Sequence, residues 1–318
     1  MKPVFKPEVH EKYQRLITAA KGAGPALTAV AHPCNEVSLE GAIEAARLDL
    51  INPILVGPAE RIRRVAAQHD LDITNLKVVD TLHSHASAAK AVELARNGEA
   101  EAIMKGSLHT DELMGAVVAR EGGIRTSRRI SHCFVMDVPG HPDALIITDA
   151  AVNIAPTLEE KIDIVQNAID LANALKVPQV RVAVLSAMET VNPKIQSSLE
   201  AAALSKMAER GQITGAMVDG PLALDNAISE EAAATKQIVS PVAGRANVLV
   251  VPNLEAGNML AKALTFLASA DSAGIVLGAR VPIILTSRAD SLTARLASCA
   301  VGALIAKYRR DQAAVPPQ

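Results

Sequence analysis

Short runs of β-branched and small apolar residues alternate with longer helix-patterned segments along nearly the whole chain. The runs at 26–31 (ALTAVA), 54–56, 102–104, 130–138, 144–148, 181–185, 215–218, 247–251 and 282–286 read as strands. Apolar residues recur at helical spacing over 38–49, 59–68, 110–119, 158–175, 193–210, 256–268 and 292–309. This alternation implies a doubly wound α/β fold with a parallel sheet. Three helix starts carry local signals. Ser38 and Thr157 are candidate caps, Thr157 with Glu160 placed for a capping box, and Asn192 precedes Pro193.

Such a fold needs a large aliphatic core. Of 318 residues 49% are apolar, yet there is no Trp and only two Tyr and three Phe. Ala and Leu helices laid on Val and Ile strands meet that demand, and the length suits two domains. Lys and Arg number 32 against 34 Asp and Glu, interspersed, for a net charge of −2. With no basic run and few aromatics to stack on bases, nucleic acid is excluded as an expected partner. Cys34, Cys133 and Cys299 are scattered, which argues against a disulfide frame and for a reducing compartment. Residues 1–15 are charged throughout, and no uncharged stretch approaches the roughly 20 residues of a membrane helix. A cytoplasmic protein away from the membrane is expected.

Ligands of open α/β sheets bind beyond the strand ends, and six polar segments fall there: 32–35 (HPCN), 105–107 (KGS), 149–153 (DAAVN), 219–226, 252–258 (PNLEAGN) and 287–291 (SRADS). The last is the most informative, because an arginine grips phosphate bidentately and helix N-termini bind anions. The plainer alternative makes Arg288 a surface ion-pair partner, with Asp290 or Ser291 capping a helix. Gly257 allows close backbone approach to a ligand, while Asn253 also suits an ordinary turn. Lys105 reads as a cleft cation or a solvated loop residue, and Asp149 and Asn153 as cleft hydrogen-bonding groups or Asx-turn formers. His83-x-His85 reads as solvated surface at a helix start, and Cys34 as a small buried residue. No glycine-rich dinucleotide fingerprint or P-loop is present.

Five segments together, in order, resemble the phosphate acetyl/butyryltransferase family: MKGSLHTDELMGAVV (104–118), TDAAVNIAPT (148–157), DGPLALDNAIS (219–229), PNLEAGNML (252–260) and GARVPIILTSRADS (278–291). Their form is closer to the butyryltransferase branch. In the acetyltransferase branch an aspartate usually stands seven residues after the serine matched here by Ser287; this chain has Ala294, and Asp290 is the nearest carboxylate.

The resemblance implies a fold like the isocitrate/isopropylmalate dehydrogenases. One α/β domain would span 1–128 plus 279–318 and a second 129–278, with the active site in the cleft between them, in a homodimer. It implies the reaction acyl-CoA + phosphate ⇌ acyl phosphate + CoA, with acetyl-CoA or butyryl-CoA as donor, by direct transfer in a ternary complex. The catalytic residues implied are Ser287, Arg288 and Asp290. Lys105, Asp149, Asn153, Asn253, Gly257 and Asn258 would bind substrate or CoA. Coenzyme A is a substrate; no metal or redox cofactor is expected. The competing readings are a metal- and NAD-dependent decarboxylating dehydrogenase of the same fold, an acyl-carrier-protein acyltransferase, and a non-catalytic CoA-binding protein.

Overall fold

A computed structural model describes residues 11–286 and 290–314. The first part of the chain runs α1 (Glu11–Ala23), β1 (Ala26–Ala31), α2 (Glu36–Arg47), β2 (Ile51–Gly57), α3 (Ala59–Gln68), β3 (Lys77–Asp80), α4 (Ser84–Arg96), β4 (Ala102–Lys105) and α5 (Thr110–Val118). It continues through β5 (Ser131–Asp137), β6 (Leu145–Thr148), α6 (Leu158–Ala174), β7 (Arg181–Leu185), α7 (Gln196–Glu209), β8 (Met217–Leu222), α8 (Leu224–Ile228) and α9 (Glu230–Thr235). It ends with β9 (Val248–Val250), α10 (Leu254–Leu267), β10 (Asp271–Leu277), β11 (Ile283–Ile284) and α11 (Leu292–Ala314).

The strands form one sheet in the order β3-β2-β1-β4-β11-β10-β5-β6-β9-β7-β8. Its two wings are parallel, as the alternation predicts: β3 to β11 on one side, β6 to β8 on the other. The centre differs. β10 runs antiparallel to both β11 and β5, and β5 antiparallel to β6. The reason is connection length. Residues 138–144 and 278–282 are too few for a crossover helix, so each joins antiparallel neighbours. The second turn needs a glycine, because Gly278 has φ +88° and a Cβ there would lie 2.3 Å from the Arg129 carbonyl.

Periodicity gives no sign of β10, β3, α1, α8 or α9, and of α4 only its start near His83. In β10 the polar Asp271 and Ser272 and the interior Gly274 weaken the strand signal. Gly274 is required nonetheless, since a Cβ would stand 2.6 Å from the Leu285 carbonyl oxygen. Positions 294–306 of α11 are all buried, and the helix packs against α1 and β10. Small residues permit this: a Cβ on Gly302 would come within 2.8 Å of Ile284.

Of the three helix-start signals, Thr157 forms its capping box, with Glu160 accepting from the Thr157 amide at 2.9 Å. Ser38 is not a cap: α2 begins two residues earlier, and Asn35 Oδ1 accepts from the Ser38 amide at 3.0 Å. Asn192 builds a turn instead, accepting from the Lys194 amide, and α7 starts at Gln196. Among the described residues no helix is long and apolar enough to cross a membrane.

Candidate active site

A cavity of about 770 Å³ opens beside the antiparallel centre of the sheet. Four of the five motif segments reach it: 104–118 through Lys105 and His109, 148–157 through Ala151, 252–260 through Asn258, and 278–291 through Thr286, Asp290 and Ser291. The 219–229 segment does not; it belongs to β8 and α8 at the far end of the sheet.

Lys105 ends β4 and is buried, its Nζ within reach of the Gly106 and Thr286 carbonyls at 3.4 and 3.5 Å. Gly106 lets this corner close, because a Cβ there would stand 2.4 Å from the Ala31 carbonyl oxygen. Asn258 lies at the start of the second turn of α10 and donates to the Ala150 carbonyl at 3.3 Å. Ser287 and Arg288 lie outside the described residues, but both flanks of their segment, Thr286 and Asp290, line the cavity. Ser291, rather than Asp290, caps α11: its Oγ accepts from the Ala294 amide at 3.1 Å. Ala294, where the acetyltransferase branch usually has aspartate, lines the cavity too.

Asp149 and Asn153 frame this site rather than line it. Asp149 is buried and saturated. Its Oδ1 accepts from the amides of Ala151 and Val152 at 2.9 and 3.0 Å. Its Oδ2 accepts from the amides of His132 and Asn153 and, at 2.6 Å, from Asn153 Nδ2. Asn153 also accepts from Arg129 Nε and donates to the Ile130 carbonyl. The pair thus ties the 149–153 loop to the start of β5. Asn253 is the cap of α10, and Gly257 lets that helix sit on the same loop, since a Cβ would lie 2.9 Å from the Asp149 carbonyl oxygen.

Several lining residues escape the sequence reading. His132, Phe134 and Met136 share one face of β5 and wall the cavity, a consequence of the period-2 strand. Cys133 points the other way, into the aliphatic core. Arg295, buried in the first turns of α11, donates to Thr286 Oγ1 and to the Asp290 carbonyl, both at 3.3 Å. It therefore contacts both flanks of the 287–289 segment.

A second cavity, about 510 Å³, lies between the approach to β5, α6 and the end of α11. Of the motif residues only the first three of 278–291 reach it, and its Arg128 and Asp170 already pair with each other.

Comparison with known proteins decides the family. The family model described as phosphate acetyl/butaryl transferase matches residues 82–303. The chain belongs to this family. It is 66% identical over 304 residues to a phosphate acetyltransferase of Rhizobium meliloti, covering 96% of each chain. It is 39% identical over 296 residues to a phosphate butyryltransferase of Clostridium acetobutylicum, covering 93% of this chain and 98% of the other. The crystal structure of a branched-chain phosphotransacylase from Enterococcus faecalis V583 superposes with a TM-score of 0.77 at 32% identity, over 88% of this chain and 99% of that one. The family is one of acyltransferases with a shared α/β fold, and the continuous sheet described above is this chain's version of it. The acetyl name stands on the relative of higher identity and the butyryl name on the one nearer 40%.

Proposed function

We propose that the chain transfers a short acyl group between coenzyme A and inorganic phosphate, acyl-CoA + phosphate ⇌ acyl phosphate + CoA, in the 770 Å³ cavity. The observation that carries this is the convergence of four motif segments on that one cavity, Lys105 and Thr286 among them lying 181 positions apart. Phosphate binds at the 287–291 segment, where Arg288 holds its oxygens bidentately and the Ser287 hydroxyl adds a hydrogen bond. Lys105 contributes positive charge from β4 and Asn258 borders the CoA side. The acyl chain lies against Phe134 and Met136. The phosphate oxygen attacks the thioester carbonyl directly, and the thiolate leaves. A free thiol has a pKa near ~8.5, so only modest proton transfer is required, and holding both reactants in line supplies much of the acceleration.

The reading extends to a cytoplasmic homodimer whose protomer divides into domains at about 1–128 plus 279–318 and 129–278, with CoA as substrate and no metal or redox cofactor. The test is thiol release from acetyl- through hexanoyl-CoA with and without phosphate. Phosphate-dependent release with short chains is expected; release independent of phosphate, or none, overturns the proposal.

A further inference from the structure

His132 has no role in the reaction as described, yet its setting in the cavity is specific. It is 2% exposed and lines the cavity, and its Nδ1 is buried without a hydrogen-bond partner among the described residues. A neutral imidazole carries one N–H donor and one acceptor lone pair, and leaving buried polar atoms unpaired is costly. The orphan nitrogen is itself enclosed, so a ligand in the cavity that this ring lines meets the imidazole through Nε2.

The ring is held from several directions. Its backbone amide donates to Asp149 Oδ2 at 3.2 Å, and its carbonyl accepts from Thr148 Oγ1 at 2.9 Å. The Phe134 ring meets it edge to face, centroids 4.4 Å apart. Beneath it Gly274 leaves the needed space, since a Cβ there would stand 3.1 Å from His132 Nε2.

Position matters as much as rigidity. His132 stands one pair of strand positions before Phe134 on the face of β5 that walls the cavity, and Lys105, Leu285 and Thr286 line the same cavity from β4 and the end of β11. A thioester brings both an apolar chain and a carbonyl acceptor to such a lining. We propose that the His132 imidazole donates a hydrogen bond to the acyl carbonyl oxygen, orienting it and stabilising the negative charge that builds on it during transfer. This rests on the acyltransferase reading above. The new bond joins a phosphate oxygen to the carbonyl carbon while the carbon–sulfur bond breaks. The sulfur leaves with that electron pair and ends as the thiol, and His132 keeps its own proton throughout. Burial, opposed in part by Asp149, holds the imidazole well below its usual range and therefore neutral at working pH. A neutral imidazole donates without being a cation and is too weak a base to take the proton itself.

The test combines kinetics with binding. His132→Ala should lower kcat by about 10²–10³-fold, the scale for one lost oxyanion donor, with KM for phosphate little changed. His132→Gln, which keeps an N–H donor, should recover at least about tenfold of that loss. Calorimetric titration then compares the dethia ketone of acetyl-CoA, whose carbonyl is in place, with S-ethyl-CoA, which has none. Wild type should favour the ketone by about tenfold, the worth of one hydrogen bond, and His132→Ala should not discriminate. Wild-type kcat in a folded His132→Ala variant overturns the proposal, and so does equal binding of the two analogues by wild type. Should His132→Ala not fold, the analogue pair on wild type and on His132→Gln decides alone. A wild-type protein that makes no acyl phosphate from acyl-CoA and phosphate would instead refute the acyltransferase reading.

Discussion

Arg288 is the residue on which the phosphate site depends. Replacing it by alanine should cut kcat in the thiol-release assay by about 10²–10³-fold, and lysine should rescue only partly because a point charge cannot grip two oxygens at once. Asp290 separates into two testable roles. Ser291 holds the α11 cap, so Ser291→Ala should cost about 1 kcal/mol of stability. Asp290 lies near enough to the buried Arg295 to favour its charge, so Asp290→Asn should lower the melting temperature, and a fall in kcat larger than that of Ser291→Ala marks a role of the carboxylate in the reaction. The three thiols are a contrast. Burial pushes Cys34 up to about 11 and Cys133 and Cys299 up to about 12. A thiol held protonated is a poor nucleophile. With a disulfide reagent at pH 8 the native protein should expose no fast-reacting thiol, and the unfolded protein three. Each Cys→Ala variant should keep most of its activity. A covalent acyl adduct on any of them would refute direct transfer.

At the level of elements, the seat of α10 on the 149–153 loop determines where Asn258 points. Gly257→Ala would place a Cβ 2.7 Å from Val251 Cγ2 and 2.9 Å from the Asp149 carbonyl oxygen. Backbone cannot yield cheaply, so a loss of about 1–3 kcal/mol by urea denaturation is expected, together with weaker CoA binding. Thr157→Ala offers the comparison. It removes the capping box of α6, which lies away from the cavity, and should cost about 1 kcal/mol with kcat unchanged. An equal effect of both on CoA binding would show that Gly257 acts through global stability alone. The boundaries of α3 and α6 were legible from periodicity, whereas α2, α7 and α10 begin two or three residues from their expected starts. β10 was not legible, because a strand with a glycine at its middle and two polar residues at its start depends on neighbours for its burial.

For the whole molecule, buried histidines and thiols set a window of pH stability. The sign follows from where each proton binds. Unfolded His132 titrates near 6.5, whereas burial drives it to about 4 in the fold. His32 is likewise lowered, by burial first and then by Arg61. Below pH 6.5 the unfolded chain takes up protons that the folded chain refuses. Stability is therefore complete above that pH and falls as pH drops toward 4. Thermal melts of His132→Gln should show a shallower acid limb. At the other end the raised thiols favour the protonated form, so stability declines above about pH 9 as unfolded thiols ionise. A melting temperature flat from pH 7 to 4.5 would contradict the acid limb. In initial-rate kinetics the proposed ternary complex should give intersecting double-reciprocal lines; parallel lines would favour a covalent intermediate.

The sequence by itself determined the parallel wings, the largely aliphatic core, the capping box at Thr157 and the family, because each rests on local periodicity or on residues contiguous in the chain. Lys105, Asn258 and the 287–291 segment could be singled out there for the same reason. Only the tertiary structure decided that the sheet is continuous through an antiparallel centre, that Asp149 and Asn153 tie loop to strand, and that Gly257 meets backbone. It also brought His132, Phe134 and Met136 into one wall with the ends of β4 and α10. Those outcomes depend on contacts between separate segments, from His132 and Asp149, 17 positions apart, to Ala150 and Asn258, 108 apart. Such contacts leave no period or spacing in the chain from which they could be read.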